Sequence, residues 1–359
     1  MRRLIILALF TLMTACTGGR RNGETGQNNS LPDTTARRIL AEKLASGVPW
    51  GQPIFAGMAS LMEVRTGRVL ASVTLYPDPS VISDSLELFA TPCLMPASLA
   101  QAATLMHFLK EDPGVLDRHL PTRHGRLEPS PFPDELILDF ERTTQRDEIT
   151  VREGFLMSSA FTIAQLATTP TRLRKQDPCE SLLKDWQRYW RLEVDNEVTT
   201  ISFCGKQNLY YLSCGKAGYL SQQQILRFYN AIAAEGKMMV DDSSEKICSK
   251  AVADTLRSLL RQNVIQGTNR PMASSTVPIA GKTGTGILKT GARIPGLAVY
   301  ESIGEYWHST FAGFFPAEQP SYTLAVTVIY RNDAPAYAIP NRIAVDLAEK
   351  ISKFSFLSQ

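Results

Sequence analysis

The pattern of apolar and polar positions changes character several times along the chain. Residues 55–74, FAGMASLMEVRTGRVLASVT, carry two β-like runs around Arg65-Thr66-Gly67-Arg68, which predicts a hairpin. Residues 95–109, MPASLAQAATLMHFL, have helical spacing that starts after Pro96. A second helix opens at residues 149–153, where Thr150 and Glu153 have the spacing of a capping box. It is expected to break in a turn over 157–159 and to resume over 160–167. Residues 221–234 predict a helix stopped by Gly236, and 252–262 another. Strands are expected over 277–280, 310–315 and 322–330, and a last helix over 342–354. Strands at both ends with helices between them predict one α/β sheet completed by distant segments, enclosing a helical insert. No linker interrupts the pattern after residue 48, so residues 48–359 are expected to form one unit with two lobes.

The N-terminus follows a different rule. Arg2 and Arg3 precede an apolar stretch over 4–13, followed by Thr14-Ala15-Cys16. A basic start, a short apolar run and small residues before a break describe a secretory signal. The run is too short for a stable bilayer-spanning helix. A cysteine directly after the small residues makes residues 1–15 resemble a bacterial lipoprotein signal, which implies lipidation of Cys16, export and a membrane anchor. The plainer alternative is an ordinary signal peptide with an incidental cysteine. Residues 16–47 are expected to be a flexible tether, their first half rich in Gly, Asn, Arg and Thr, with room for a short helix over 35–44.

Composition narrows the function mainly by exclusion. The chain is 44% hydrophobic and 20% charged, with a net charge of +3, which is ordinary for a globular protein and gives no case for a nucleic-acid partner. There is no P-loop glycine pattern, and neither the cysteines nor the histidines have metal-ligand spacing, so no metal or cofactor is expected. Five cysteines follow Cys16: Cys93, Cys179, Cys204, Cys214 and Cys248. Export permits disulfides, but an odd number leaves at least one thiol over, and buried structural cysteines are an equal reading.

The candidate chemistry centres on Ala280-Gly281-Lys282-Thr283-Gly284-Thr285-Gly286. On a strand edge, a lysine offers a point charge for a carboxylate, and glycine lets another backbone approach closely. Lys-Thr-Gly is also the third signature of the active-serine penicillin-recognising enzymes. Other segments occur in that family's order. Residues 58–72 resemble its opening hairpin, and Pro96-Ala97-Ser98 its Pro-Gly-Ser. Ser158-Ser159-Ala160 falls where the family has Ser-Xaa-Asn. Residues 229–236 resemble a helix-ending Tyr-Xaa-Xaa-Xaa-Ala-Asn-Gly-Gly segment, and Gln266-Gly267-Thr268 precedes the Lys-Thr-Gly run. Residues 311–316 and 322–329 match the last strands. The chain from about 55 to 354 thus resembles the transpeptidase domain of penicillin-binding proteins. That resemblance implies a penicillin-binding-protein and serine β-lactamase-like fold, an antiparallel sheet flanked by helices with a helical lobe. It also implies peptidoglycan stem peptide or a β-lactam as ligand, cell-wall synthesis proteins as partners, and Ser98 as acylated nucleophile.

Two motif positions depart from the family. Its Ser-Xaa-Xaa-Lys here reads Ser98-Leu99-Ala100-Gln101, and glutamine has no amine to titrate as a base. The asparagine of the second motif is Ala160, while Ser158 remains to relay a proton. Lys282, Thr283, Gly284 and Thr285 are intact as a carboxylate-binding strip, and the resemblance implies an oxyanion hole from the backbone N–H groups of Ser98 and Thr285. Three readings stay open. The domain has lost efficient catalysis and binds stem peptide or wall-synthesis proteins; or it is a working D,D-peptidase with Lys282 and Ser158 as substitute base; or it is a β-lactamase, for which no second base is evident. A plain helix-capping serine is the equal alternative for Ser98. Residues 291–305 read as a flap or a hairpin loop, and 123–131 as surface loop.

Overall fold

Both β-like runs of the opening pattern do pair. A computed structural model describes residues 31–50, 54–77, 85–122, 146–168, 178–192, 211–240, 243–289, 306–331, 336 and 338–357. Helix α1 (Asp33–Gly47) leads to the hairpin of β1 (Ile54–Glu63) and β2 (Val69–Leu75), with Gly67 at φ 67° in its turn. Then come α2 (Ser85–Ala90), a 3₁₀ turn at Ala97–Ala100 and α3 (Gln101–Glu111). A short pair, β3 (His119–Pro121) and β4 (Glu148–Thr150), precedes α4 (Val151–Leu156), α5 (Ala160–Thr168), α6 (Pro178–Trp190) and α7 (Gln222–Ala233). A second pair, β5 (Lys237–Val240) and β6 (Ser243–Lys246), leads to α8 (Lys250–Gln266). Strands β7 (Ala280–Ile287), β8 (Tyr306–Phe315) and β9 (Tyr322–Arg331) and helix α9 (Ile339–Leu357) finish the order.

The main sheet runs β2-β1-β9-β8-β7, antiparallel throughout, so β7 is an edge strand. Both faces are covered. Val326 and Val328 of β9 join Ile343, Leu347 and α1 residues in one apolar cluster, while Ile329 and Phe314 join the helical lobe in the other. Burial on both faces explains why β9 reads as a continuous apolar run without alternation. Within the lobe, Trp186, Trp190, Phe228 and Tyr229 are fully buried, and the rings of Trp190 and Phe228 stand 4.3 Å apart.

The predicted capping box forms. Thr150 accepts from the Glu153 N–H at 3.1 Å, and Glu153 Oε2 accepts from the Thr150 N–H at 2.9 Å, which fixes where α4 begins. The tether boundary is corrected. Ala36, Ile39, Leu40 and Leu44, spaced by three, one and four, make a helical stripe buried against the sheet and α9, so the compact unit starts at Leu31 rather than after residue 47. Cys16, the signal-like residues and the segments 123–131 and 291–305 lie outside the described residues. Cys93 and Cys248 carry buried thiols without a disulfide, and burial pushes them up to about 12 and about 11. Cys204 lies outside the described residues.

Candidate active site

Ser98 stands on a held and strained turn. Leu94 exchanges backbone hydrogen bonds with Leu220 at 2.9 and 2.8 Å, the Met95 N–H donates to Ile287 O at 3.3 Å, and the Ala97 N–H donates to Gly215 O at 2.8 Å. Ala97 occupies the left-handed region at φ 48°. An alanine there costs roughly 1–2 kcal/mol and persists only where its surroundings impose it. Where the sequence predicts a helix straight after Pro96, the chain makes one 3₁₀ turn and then α3, because the positive φ at Ala97 turns it first. Ser98 remains half-buried at the head of this turn.

Gln101 opens α3 three residues on, where the family has its base. It is fully buried, and neither its Nε2 nor its Oε1 has a hydrogen-bond partner among the described residues. An amide stranded in this way costs roughly 1–3 kcal/mol. The side chain that replaces the base therefore neither activates Ser98 nor anchors anything else.

The opposite wall is β7. Lys282 is fully buried; its Nζ donates to Ser158 Oγ at 2.7 Å and to Thr283 O at 3.4 Å, and lies 5.6 Å from the centre of the Phe155 ring. Burial pushes its pKa down to about 7. The predicted turn between α4 and α5 supplies the partner: Ser158 adopts φ 61°, and its N–H donates to Phe155 O at 3.0 Å. Ser159 accepts from the Thr162 N–H at 3.0 Å and so caps α5, which leaves Ala160 as a first helical residue with no polar side chain to offer. Lys282 thus meets Ser158, and it is no strand-edge charge open to water.

Strand alternation divides the four-residue strip. Lys282 and Gly284 face the lobe; Thr283 and Thr285 face the other way. Thr283 Oγ1 donates to Asn269 Oδ1 at 3.0 Å, and exposed Thr285 shares a 2.9 Å hydrogen bond with Ser309. A joint grip on one carboxylate by Lys282 and the threonine hydroxyls does not follow from this arrangement. The glycine between them has a steric reason: a Cβ on Gly284 would lie 2.8 Å from both Leu99 Cγ and Pro96 O, so the strand meets the serine turn only without one. Gly284→Ala is accordingly expected to cost about 1–3 kcal/mol through overpacking. Thermal melting should read this as a loss of roughly 3–8 °C; an unchanged melting temperature would refute the close approach.

Asn269 and His308 belong to the site but carry no sequence motif. Asn269 is fully buried, donates to Gly281 O at 3.3 Å and accepts from Thr283. It was not singled out from the sequence, where the signal beside it is its place directly after Gln266-Gly267-Thr268.

A serine presented from a strained turn, beside an edge strand with a buried amine, is the layout of enzymes that work through an acyl-serine. The family model for the penicillin binding protein transpeptidase domain matches residues 57–349, and the chain belongs to that family. Solved structures agree on the fold. A peptidoglycan glycosyltransferase from Burkholderia ambifaria superposes with a TM-score of 0.68 at 19% identity, covering 90% of this chain and 96% of that one. The transpeptidase domain of Burkholderia pseudomallei penicillin-binding protein 3 gives 0.66 at 20% identity, over 93% and 97%. The transpeptidase domain of the Legionella pneumophila FtsI4 D,D-transpeptidase gives 0.61 at 14% identity, over 93% and 100%. No curated protein sequence matched the chain.

Proposed function

We propose that this protein is an exported, lipid-anchored penicillin-binding-protein-like domain that acts in peptidoglycan biogenesis with impaired catalysis. It binds the stem peptide, or a protein of the wall-synthesis machinery, rather than turning substrate over efficiently. The observation that carries this reading is Gln101, buried and unpartnered where acylation needs a base. An extended-peptide ligand is supported by β7 being an edge strand of the sheet, a position suited to strand addition, although the carbonyls of Gly281, Thr283 and Ile287 are already engaged by Asn269, Lys282 and Met95. Lys282 contributes positive potential through Ser158 when protonated.

The test is intact-mass detection of penicillin bound to the soluble domain, with Ser98→Ala beside it. Little or no adduct is expected at times when an efficient relative is fully labelled. Stoichiometric, rapid labelling that disappears in Ser98→Ala would overturn the reading. It would favour the second one, a D,D-peptidase in which Ser98 passes its proton through Ser158 to Lys282. That reading draws on the 2.7 Å contact and on an amine whose pKa lies near 7.

A further inference from the structure

Behind the serine turn runs a chain of buried polar side chains whose hydrogen-bond directions follow from chemistry. A carbonyl can only accept, so the 2.9 Å contact between His308 and Met95 O places a proton on Nε2. Burial pushes the His308 pKa down to about 4, against the smaller opposing effect of Met95 O, so the ring is neutral near pH 7. Nδ1 therefore accepts, at 3.0 Å, from Thr310 Oγ1. With that proton committed, the Thr310 oxygen accepts from Thr327 Oγ1 at 2.9 Å. Thr327 in turn accepts from Gln222 Nε2 at 2.9 Å, and Gln222 Oε1 accepts from Ser60 Oγ at 2.9 Å. All five side chains are fully buried. The chain crosses β1, α7, β9 and β8, and every donor points toward Met95 O.

Its end point matters because Ala97, two residues beyond Met95, is held in the left-handed region. Room for the contact comes from Gly286, opposite His308 in the ladder: a Cβ there would lie 2.9 Å from Met95 O and 3.3 Å from His308 Nε2. A polar relay this deep is costly unless each member is satisfied, and here each is, which makes it rigid. We infer that His308 is a positioning residue for Ser98: its Nε2–H, oriented by the relay from Ser60, pins the Met95 carbonyl and with it the Pro96-Ala97-Ser98 turn. The inference holds whether or not Ser98 is acylated.

The experiment compares His308→Asn with His308→Gln in the full chain. Gln keeps a donor at the reach of Nε2; Asn does not. Hydrogen exchange at the amides of Met95, Ala97 and Leu99 should quicken by about tenfold in His308→Asn, as for losing one net hydrogen bond, and return toward the parent in His308→Gln. Amides of β9 should be unchanged in both. In the Gln101→Lys background, His308→Asn should also lower the limiting rate of penicillin labelling without changing the half-saturating concentration. Unchanged exchange at the turn in a folded His308→Asn, or no recovery in His308→Gln, overturns the inference. So does a labelling defect confined to half-saturation. If His308→Asn does not fold, Thr310→Val against Thr310→Ser decides: Val alone should quicken exchange at the turn it never touches, and equal exchange in the two overturns the inference. Because exchange is read without labelling, a silent Ser98 leaves this test intact and bears only on the proposed function.

Discussion

Gln101→Lys will raise the rate of Ser98 acylation by penicillin about 10²–10⁴-fold, the contribution typical of a positioned general base. The position is right, three residues after the serine and at the start of α3. So is the environment. Gln101 is fully buried, and burial favours the neutral amine, as it does for Lys282. A neutral amine can take the Ser98 proton; an amide cannot. The control is Gln101→Met, of similar length but with nothing to titrate. It should bring no gain in rate, yet it removes two unpartnered polar atoms, so it should raise the melting temperature by about 2–6 °C, the equivalent of roughly 1–2 kcal/mol. Rate and stability then move independently: Lys changes chemistry, Met changes burial. If a folded Gln101→Lys labels no faster than its parent, the missing base is not what silences Ser98.

What the sequence disclosed and what it hid divide along a physical line. Features written in local chemistry were legible: the Thr150–Glu153 box, the turn at Ser158, the hairpin around Gly67. Helix α1 was partly hidden because the polar residues before it suggested a tether, and only contact with the sheet and α9 gives its stripe at 36, 39, 40 and 44 something to bury against. Strand β7 extends through Lys282, Gly284 and Gly286, residues of poor β-propensity, because pairing with β8 residue by residue overrides propensity. His308 was invisible for a stricter reason. Its partner is a backbone carbonyl 213 positions away, and no side-chain motif records a contact to backbone. The same holds for Asn269, whose role is to satisfy Gly281 O and Thr283.

Lys282 should make stability depend on pH in a direction opposite to that of a salt-bridged lysine. Its folded pKa lies near 7, below the 10.5 of an ordinary lysine, because burial removes the ammonium from water. Below pH 7 the amine is protonated in both folded and unfolded chains, and the folded state bears the full cost of the buried charge. Between pH 7 and about 10 the unfolded lysine still holds its proton while the folded one has lost it. The unfolded state binds more protons, so stability rises with pH in that window. The quantity to measure is the unfolding free energy of the parent minus that of Lys282→Met, from denaturant titrations at pH 6, 7, 8 and 8.5. Taking the difference cancels the buried tyrosines and thiols, whose raised pKa values act in the opposite sense at higher pH. That difference should be flat below pH 7 and then move in favour of the parent by up to about 1.4 kcal/mol per pH unit. A flat difference up to pH 8.5 would mean that Lys282 keeps its proton. It would then hold Ser158 as a cation and could not serve as a base, and the second functional reading would fail with it. A rise through the same window would leave Lys282 able to accept a proton from Ser158, as the second functional reading requires.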